Sequence, residues 1–101
     1  MKFIAAKVSV PNVAALRNLS DQYKQKIGSG VIVLASEIEG KVSIIVSVTK
    51  DLTSKYNAGD IVKKLSGVLG GTGGGRPDMA QGGGSDTSKL NEMFASFKDL
   101  L

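Results

Sequence analysis

The chain has 101 residues and a net charge of +4; 42% of its residues are hydrophobic and 22% charged, which is typical of one globular domain. It contains no cysteine and no histidine, which excludes disulfide bonds and thiolate metal sites and removes the commonest general base. Without an apolar run of about 20 residues or a signal peptide, we expect a cytoplasmic protein with no membrane partner.

The first part of the chain predicts a strand followed by a helix. Residues 3–10 are mostly apolar and end before Pro11, which is typical of a strand. Apolar side chains then recur every three or four residues, as one helix face requires, at Val13, Leu16, Leu19, Tyr23 and Ile27. Gly28 follows and is predicted to end the helix.

The next segment predicts a β-hairpin. Residues 31–35 form a continuous apolar run, which is typical of a strand covered on both faces. Residues 41–49 carry apolar side chains at alternate positions, and a tight turn at residues 38–41 joins the two runs.

A second helix is predicted before the glycine-rich part of the chain. Asn57 is suited to cap its start. Its apolar stripe consists of Ile61, Val62, Leu65, Val68 and Leu69. Lys63 and Lys64 fall on the other side, where an ordinary solvated helix face is one interpretation of them.

A third helix is predicted at the end of the sequence, capped by Ser85 or Asp86. Its apolar face consists of Leu90, Met93, Phe94, Phe97 and Leu101. This spacing indicates core packing rather than a cofactor site.

Together these elements predict an α/β or α+β fold in one domain, residues 1–101. The predicted order is β-α-β-β-α, then a glycine-rich loop with a short strand at residues 77–81, then α. Interleaved strands and helices predict a mixed sheet with helices packed on it.

The glycine-rich stretch at residues 70–84 holds 8 of the chain's 13 glycines. Flexible linkers are mostly Gly and Ser, whereas this stretch frames Arg76, Pro77, Asp78, Met79 and Gln81 between glycines. Proline fixes its own backbone and restricts the residue before it. The pattern therefore favours a shaped loop over a linker.

The spacing of these glycines does not match a phosphate loop or a dinucleotide fingerprint. Another way to bind an anion is a concave nest of consecutive amides, predicted here at Gly73, Gly74 and Gly75. Arg76 adds a guanidinium that can grip a phosphate or stack on a base, and an ion pair with Asp78 is its alternative role. Lys63 and Lys64 add positive charge, and Asp78 and Gln81 complete the candidate RNA-binding set.

Charge is unevenly distributed along the chain. Residues 1–70 carry ten Lys or Arg against five Asp or Glu, whereas residues 71–101 carry three against four. A basic surplus on the globular part favours an anionic partner, nucleic acid first, and a mildly basic surface that serves solubility remains an equal alternative.

The segment GGGRPDMAQGG, at residues 73–83, closely resembles the signature near the C-terminus of alanyl-tRNA synthetases. The hairpin upstream and the last helix downstream resemble the same domain, so that the resemblance covers most of the chain. This domain type, called DHHA1, is shared with DHH-family phosphodiesterases.

The resemblance implies a C-terminal piece of an alanine–tRNA ligase, a protein-biosynthesis enzyme whose other domains use ATP, magnesium and zinc. This domain is then expected to contact the elbow of alanine tRNA and to help the aminoacylation and editing domains act on one tRNA. We expect no catalysis and no cofactor in this chain alone. The alternative is an interaction module that joins protomers into a homodimer, with no strong RNA binding.

The phosphodiesterase branch is a poorer match. Its motif has three glycines, then His, two variable residues and Ala-Ala-Gly. Arg76 stands at the His position here, and Met79-Ala80-Gln81 replaces Ala-Ala-Gly. These departures argue against a phosphodiesterase or nuclease.

Overall fold

A computed structural model describes residues 2–100 as one five-stranded sheet with helices on both faces. The elements in chain order are β1 (Lys2–Lys7), α1 (Val13–Ile27), β2 (Gly30–Ile38), β3 (Lys41–Val48), α2 (Ala58–Val68), β4 (Thr72–Gly75), β5 (Met79–Gly84) and α3 (Leu90–Leu100). The strand order is β1-β2-β3-β5-β4, with β1 parallel to β2 and the other pairs antiparallel. The predicted mixed sheet with packed helices is confirmed.

Helix α1 covers one face of the sheet and ends before Gly28, as predicted. The Asn12 side chain accepts a hydrogen bond from the Ala15 amide at 2.9 Å, which caps the first turn. Gly28 has φ +72°, a left-handed conformation that glycine adopts without steric cost, and it ends the helix. The apolar face of α1 packs with its buried Leu16 on Ile32, Leu34 and Ile45.

Helices α2 and α3 cover the opposite face. Alternate residues of β2 and β3 point to this side, where they meet Val62 and Leu65 of α2 and Phe97 of α3. The run at residues 31–35 is therefore buried on both faces, as predicted.

The glycine-rich stretch differs from its prediction as a loop with one short strand. It forms two antiparallel strands, β4 and β5, and β5 pairs with β3 along its whole length. Glycine has a low strand propensity, and without a side chain it cannot show the alternating apolar pattern of a strand. The sequence therefore carries no strand signal here. We call residues 72–84 the glycine hairpin.

The last helix follows the glycine hairpin after a short 3-10 turn. Asp86, one of the two predicted capping residues, caps this 3-10 turn, where its side chain accepts from the Ser88 amide at 3.2 Å. Three of the predicted core residues of this helix, Leu90, Met93 and Phe97, are buried. The predicted contribution of Leu101 lies outside the described residues. Across residues 2–100, every helix is too short or too polar to span a bilayer.

Candidate nucleic-acid interface

The turn of the glycine hairpin is anchored to the body of the protein. The Arg76 amide donates to the Met79 carbonyl at 2.9 Å and closes the turn. The Pro77 carbonyl accepts from the first amide of α2, at Ala58, and the Asp78 carbonyl accepts from the amide of Val48, at 2.9 and 2.8 Å. The backbone beside Arg76 is therefore held in place, while 75% of the Arg76 side chain is exposed.

The glycines of β4 do not form the predicted concave nest. Gly73, Gly74 and Gly75 lie in an extended strand, opposite Gly82, Gln81 and Ala80 of β5. A nest needs successive helical and left-handed backbone angles, and strand pairing with β5 prevents them. What their lack of a side chain permits is close packing, since a Cβ on Gly73 would lie 2.7 Å from the Cα of Gly82 and 2.9 Å from the Oγ of Ser66.

A groove of about 710 Å³ lies between α1 and the glycine hairpin. Helix α1, the sheet floor and the hairpin line it with Arg17, Asp21, Lys24, Ile45, Gly74, Gly75, Arg76, Asp78, Met79, Ala80 and Gln81. Three basic side chains thus face two acidic ones around an open cleft, which leaves a net positive lining. A cleft of this kind concentrates an anionic ligand.

Two polar contacts organise the side chains of the groove. The Nη2 of Arg17 donates to the Oε1 of Gln81 at 2.8 Å, across 64 positions of sequence. The Nε of Arg76 lies 3.6 Å from the Oδ1 of Asp78. The ion pair predicted as the alternative role of Arg76 is therefore present. A pair this long and this exposed contributes little to stability and leaves the guanidinium accessible.

The two predicted lysines lie in different surroundings. The Cε of Lys63 is 3.8 Å from the point where a Cβ of Gly74 would be, so this lysine borders the glycine hairpin. Lys64 lines a separate cavity of about 390 Å³ beside Tyr56 and Asn57. The structure thus brings Lys63, Gly74, Gly75, Arg76, Asp78 and Gln81 together, places Gly73 against α2, and separates Lys64 from the set.

Sequence reasoning missed the contribution of α1. Arg17, Asp21 and Lys24 are spaced by four and three residues, which puts them on one side of the helix. That spacing was a usable signal, but the sequence does not show that this side of α1 faces the glycine hairpin across the groove.

Asp51 lies outside the groove, in a 3-10 turn at Lys50–Leu52. Hydrogen bonds from the Ser29 and Thr49 side chains stabilise the charged form of Asp51 and lower the pKa of its carboxyl below the usual 3.8. Among residues 2–100 no cluster of three His, Cys, Asp or Glu side chains is placed to hold a metal ion.

Comparison with known proteins gives consistent matches over the whole chain. The DHHA1 domain family matches residues 1–101. The chain is 48% identical, over all of its 101 residues, to alanine–tRNA ligases of Staphylococcus saprophyticus and of Desulfosudis oleivorans, and it spans about 12% of their length. It is also similar to the crystal structure of the C-Ala domain from Aquifex aeolicus alanyl-tRNA synthetase, with a TM-score of 0.90 and 32% identity, covering 98% of this chain and 89% of that one.

Proposed function

Because the chain belongs to the DHHA1 domain family, and within it to the C-terminal domains of alanyl-tRNA synthetases, we propose that it binds alanine tRNA through the groove between α1 and the glycine hairpin. It contacts the elbow of the tRNA and so helps the aminoacylation and editing domains of the ligase to act on one bound molecule. A contact of this kind adds effective concentration rather than chemistry.

The observation that carries the proposal is the arrangement of basic side chains around the groove. Arg76 extends from the anchored turn, Arg17 and Lys24 extend from α1, and Lys63 borders β4. These residues come from different elements, so their separation is set by the fold. Cations held at fixed positions suit the phosphates of a folded RNA, whose shape proteins recognise more often than its paired bases.

The interior of the groove also suits a nucleotide. The guanidinium groups can hold phosphate oxygens in pairs. Between them the lining includes the apolar, half-buried side chain of Met79, on which a base or ribose can pack. The glycines of β4 leave this space free of side chains.

The test is a titration of the chain against alanine tRNA at two salt concentrations, with an RNA hairpin lacking the elbow as competitor. We expect affinity that falls with salt and a preference for the full L-shape, since backbone contacts release counterions and only the folded tRNA has the elbow. Equal affinity for the hairpin would contradict elbow recognition.

Lys63 and Lys64 offer a matched pair of variants in the same titration. Both side chains are exposed and carry the same charge, but Lys63 lies beside Gly74, a residue of the groove lining, whereas Lys64 lines a separate cavity. Lys63→Ala is expected to weaken binding about three- to tenfold, as the loss of one phosphate contact does, and Lys64→Ala to weaken it much less. Equal losses would show that net charge, and not the groove, sets the affinity.

Joining of two copies is a second candidate function, favoured by the position of β4 at the edge of the sheet. Every second residue of an antiparallel edge strand directs its N–H and C=O away from its neighbour, and such groups pair readily with another strand. Sedimentation over a range of concentrations measures this directly, and a dimer without RNA affinity would favour this role over RNA binding.

A further inference from the structure

The hydrogen bond between Arg17 and Gln81 decides which way the Gln81 amide points. Arginine has five N–H donors and no acceptor, so the atom of Gln81 that faces Arg17 at 2.8 Å is its carbonyl oxygen. The amide NH₂ of Gln81 then points away from Arg17. Without this partner the amide could present either its oxygen or its nitrogen to a ligand.

Gln81 has an open space beside it. It lies in one row across the sheet, with Ile45 of β3 on one side and Gly74 of β4 on the other. Residues paired across neighbouring strands point to the same face, so a side chain at position 74 would stand next to Gln81. Glycine leaves that place empty, and the nearest atom to a Cβ there would be the Cε of Lys63 at 3.8 Å.

Three side chains of this lining offer donors, whereas the carboxylates of Asp21 and Asp78 are acceptors. Arg17 offers N–H groups, Gln81 offers its NH₂, and Arg76 adds its guanidinium on the same lining. From this geometry we infer, resting on the proposed function, that Arg17 is a positioning residue, and that Gln81 reads the O6 and N7 edge of a guanine placed over Gly74.

Hydrogen-bond chemistry favours guanine over adenine at this position. The guanine edge opposite the sugar side carries two acceptors, O6 and N7, which match two donors. The same edge of adenine carries an N6 amino donor beside N7, which would oppose the NH₂ of Gln81. A phosphate also offers only acceptors, and the experiment separates it from guanine.

The experiment measures the affinity of the chain for alanine tRNA transcribed with guanosine or with 7-deazaguanosine, in which a C–H group replaces N7. We expect the replacement to weaken binding to the unaltered chain about fivefold, as the loss of one hydrogen bond does. Gln81→Met, which keeps the length of the side chain but cannot donate, is expected to bind both RNAs equally. An effect of 7-deazaguanosine on tRNA folding would persist in Gln81→Met, so the comparison isolates the contact.

Arg17 is tested by the ratio of the two affinities. Arg17→Met is expected to lose the preference for guanosine, and Arg17→Lys to restore part of it, because one ammonium donor can still face the Gln81 oxygen. Lys24→Met is the matched control: it removes the same charge from the same helix, and we expect it to weaken binding to both RNAs while leaving their ratio near fivefold. The thermal unfolding midpoint of each variant shows that the fold is retained.

Each outcome separates the inference from the proposed function. Salt-sensitive binding of tRNA with equal affinity for the two transcripts would leave the groove as an RNA site and overturn the guanine contact, as expected if Gln81 and Arg17 hold a phosphate. Retention of the preference in Arg17→Met would overturn the positioning role. Failure of the unaltered chain to bind tRNA would overturn both.

Discussion

Glycine at position 82 is required by the packing of β5 against α2. A Cβ at this position would overlap the Oγ of Ser66 and lie 2.9 Å from the Cα of Gly73. Among the described residues, this buried Oγ has no hydrogen-bond partner. It faces the α-hydrogens of the glycines instead, which offer only weak C–H···O contacts. Thus at least some glycines of the signature are explained by packing, whatever the domain binds.

Gly82→Ala is expected to lower the free energy of unfolding by about 1–3 kcal/mol, as overpacking does. Gly67→Ala is its control, because Gly67 lies in α2 with nothing within 4 Å of a Cβ. That change is expected to raise stability by roughly 0.5–1 kcal/mol, since alanine favours helices. Chemical denaturation of both variants measures the two effects.

The role of Ser66 is tested in the same experiments. Adding Ser66→Ala to Gly82→Ala removes the overlapping oxygen, so we expect the double variant to recover part of the lost stability. Strictly additive effects would contradict direct contact between the two positions.

At the scale of elements, polar side chains outside the groove connect β2 to the segment after β3. The Gly30 amide donates to the Thr49 Oγ1 at 3.0 Å, and Ser29 donates to a carboxylate oxygen of Asp51. Asp51 lies in the 3-10 turn at Lys50–Leu52. These contacts join the end of one strand to the start of another, and they favour the charged form of Asp51.

The lowered pKa of Asp51 makes this connection pH-dependent. A carboxyl with a lower pKa in the folded state stabilises the fold above its unfolded pKa of about 3.9, and this stabilisation is lost as the pH falls through the folded value. Asp51→Asn is therefore expected to lower the thermal midpoint at pH 7 and to have little effect near pH 2. Ser29→Ala, which removes the first donor, is expected to weaken the same pH dependence. Thermal unfolding of the unaltered chain and of the two variants from pH 2 to pH 7 measures this pH dependence. Equal destabilisation by Asp51→Asn at every pH would show that the charge of Asp51 is not its cause.

At the scale of the whole molecule, the two faces of the sheet have different partners. Helices α2 and α3 cover one face, while α1 covers only β1 to β3 on the other, so β4 and β5 remain open there as the wall of the groove. The groove lining, which is net positive, thus gives part of the chain's basic surplus a defined location. If the groove binds RNA, its cations should dominate the salt dependence.

Arg76→Ala and Lys24→Ala are expected to reduce the slope of log affinity against log salt by about 0.7–0.9 each, the value for one phosphate contact. Lys98→Ala removes the same charge from α3 on the other face and is expected to leave the slope unchanged. Titrations over several salt concentrations give the three slopes. A similar reduction in all three would mean that RNA responds to net charge alone.

The sequence by itself determined the family. It also determined those secondary-structure elements whose formation depends on neighbouring residues. The apolar periodicity of α1 and α2, the cap Asn57, the helix end at Gly28 and the turn at residues 38–41 all depend on residues close together in the chain. The signature at residues 73–83 identified the family because so long a motif is specific.

Only the tertiary structure decided that the glycines form strands, that Lys63 and Lys64 lie in different surroundings, and that Arg17 reaches Gln81. Glycine strands have no side-chain pattern to recognise, and neighbouring lysines differ only in what packs beside them. A contact across 64 positions depends on how α1 crosses the sheet, which no local pattern encodes.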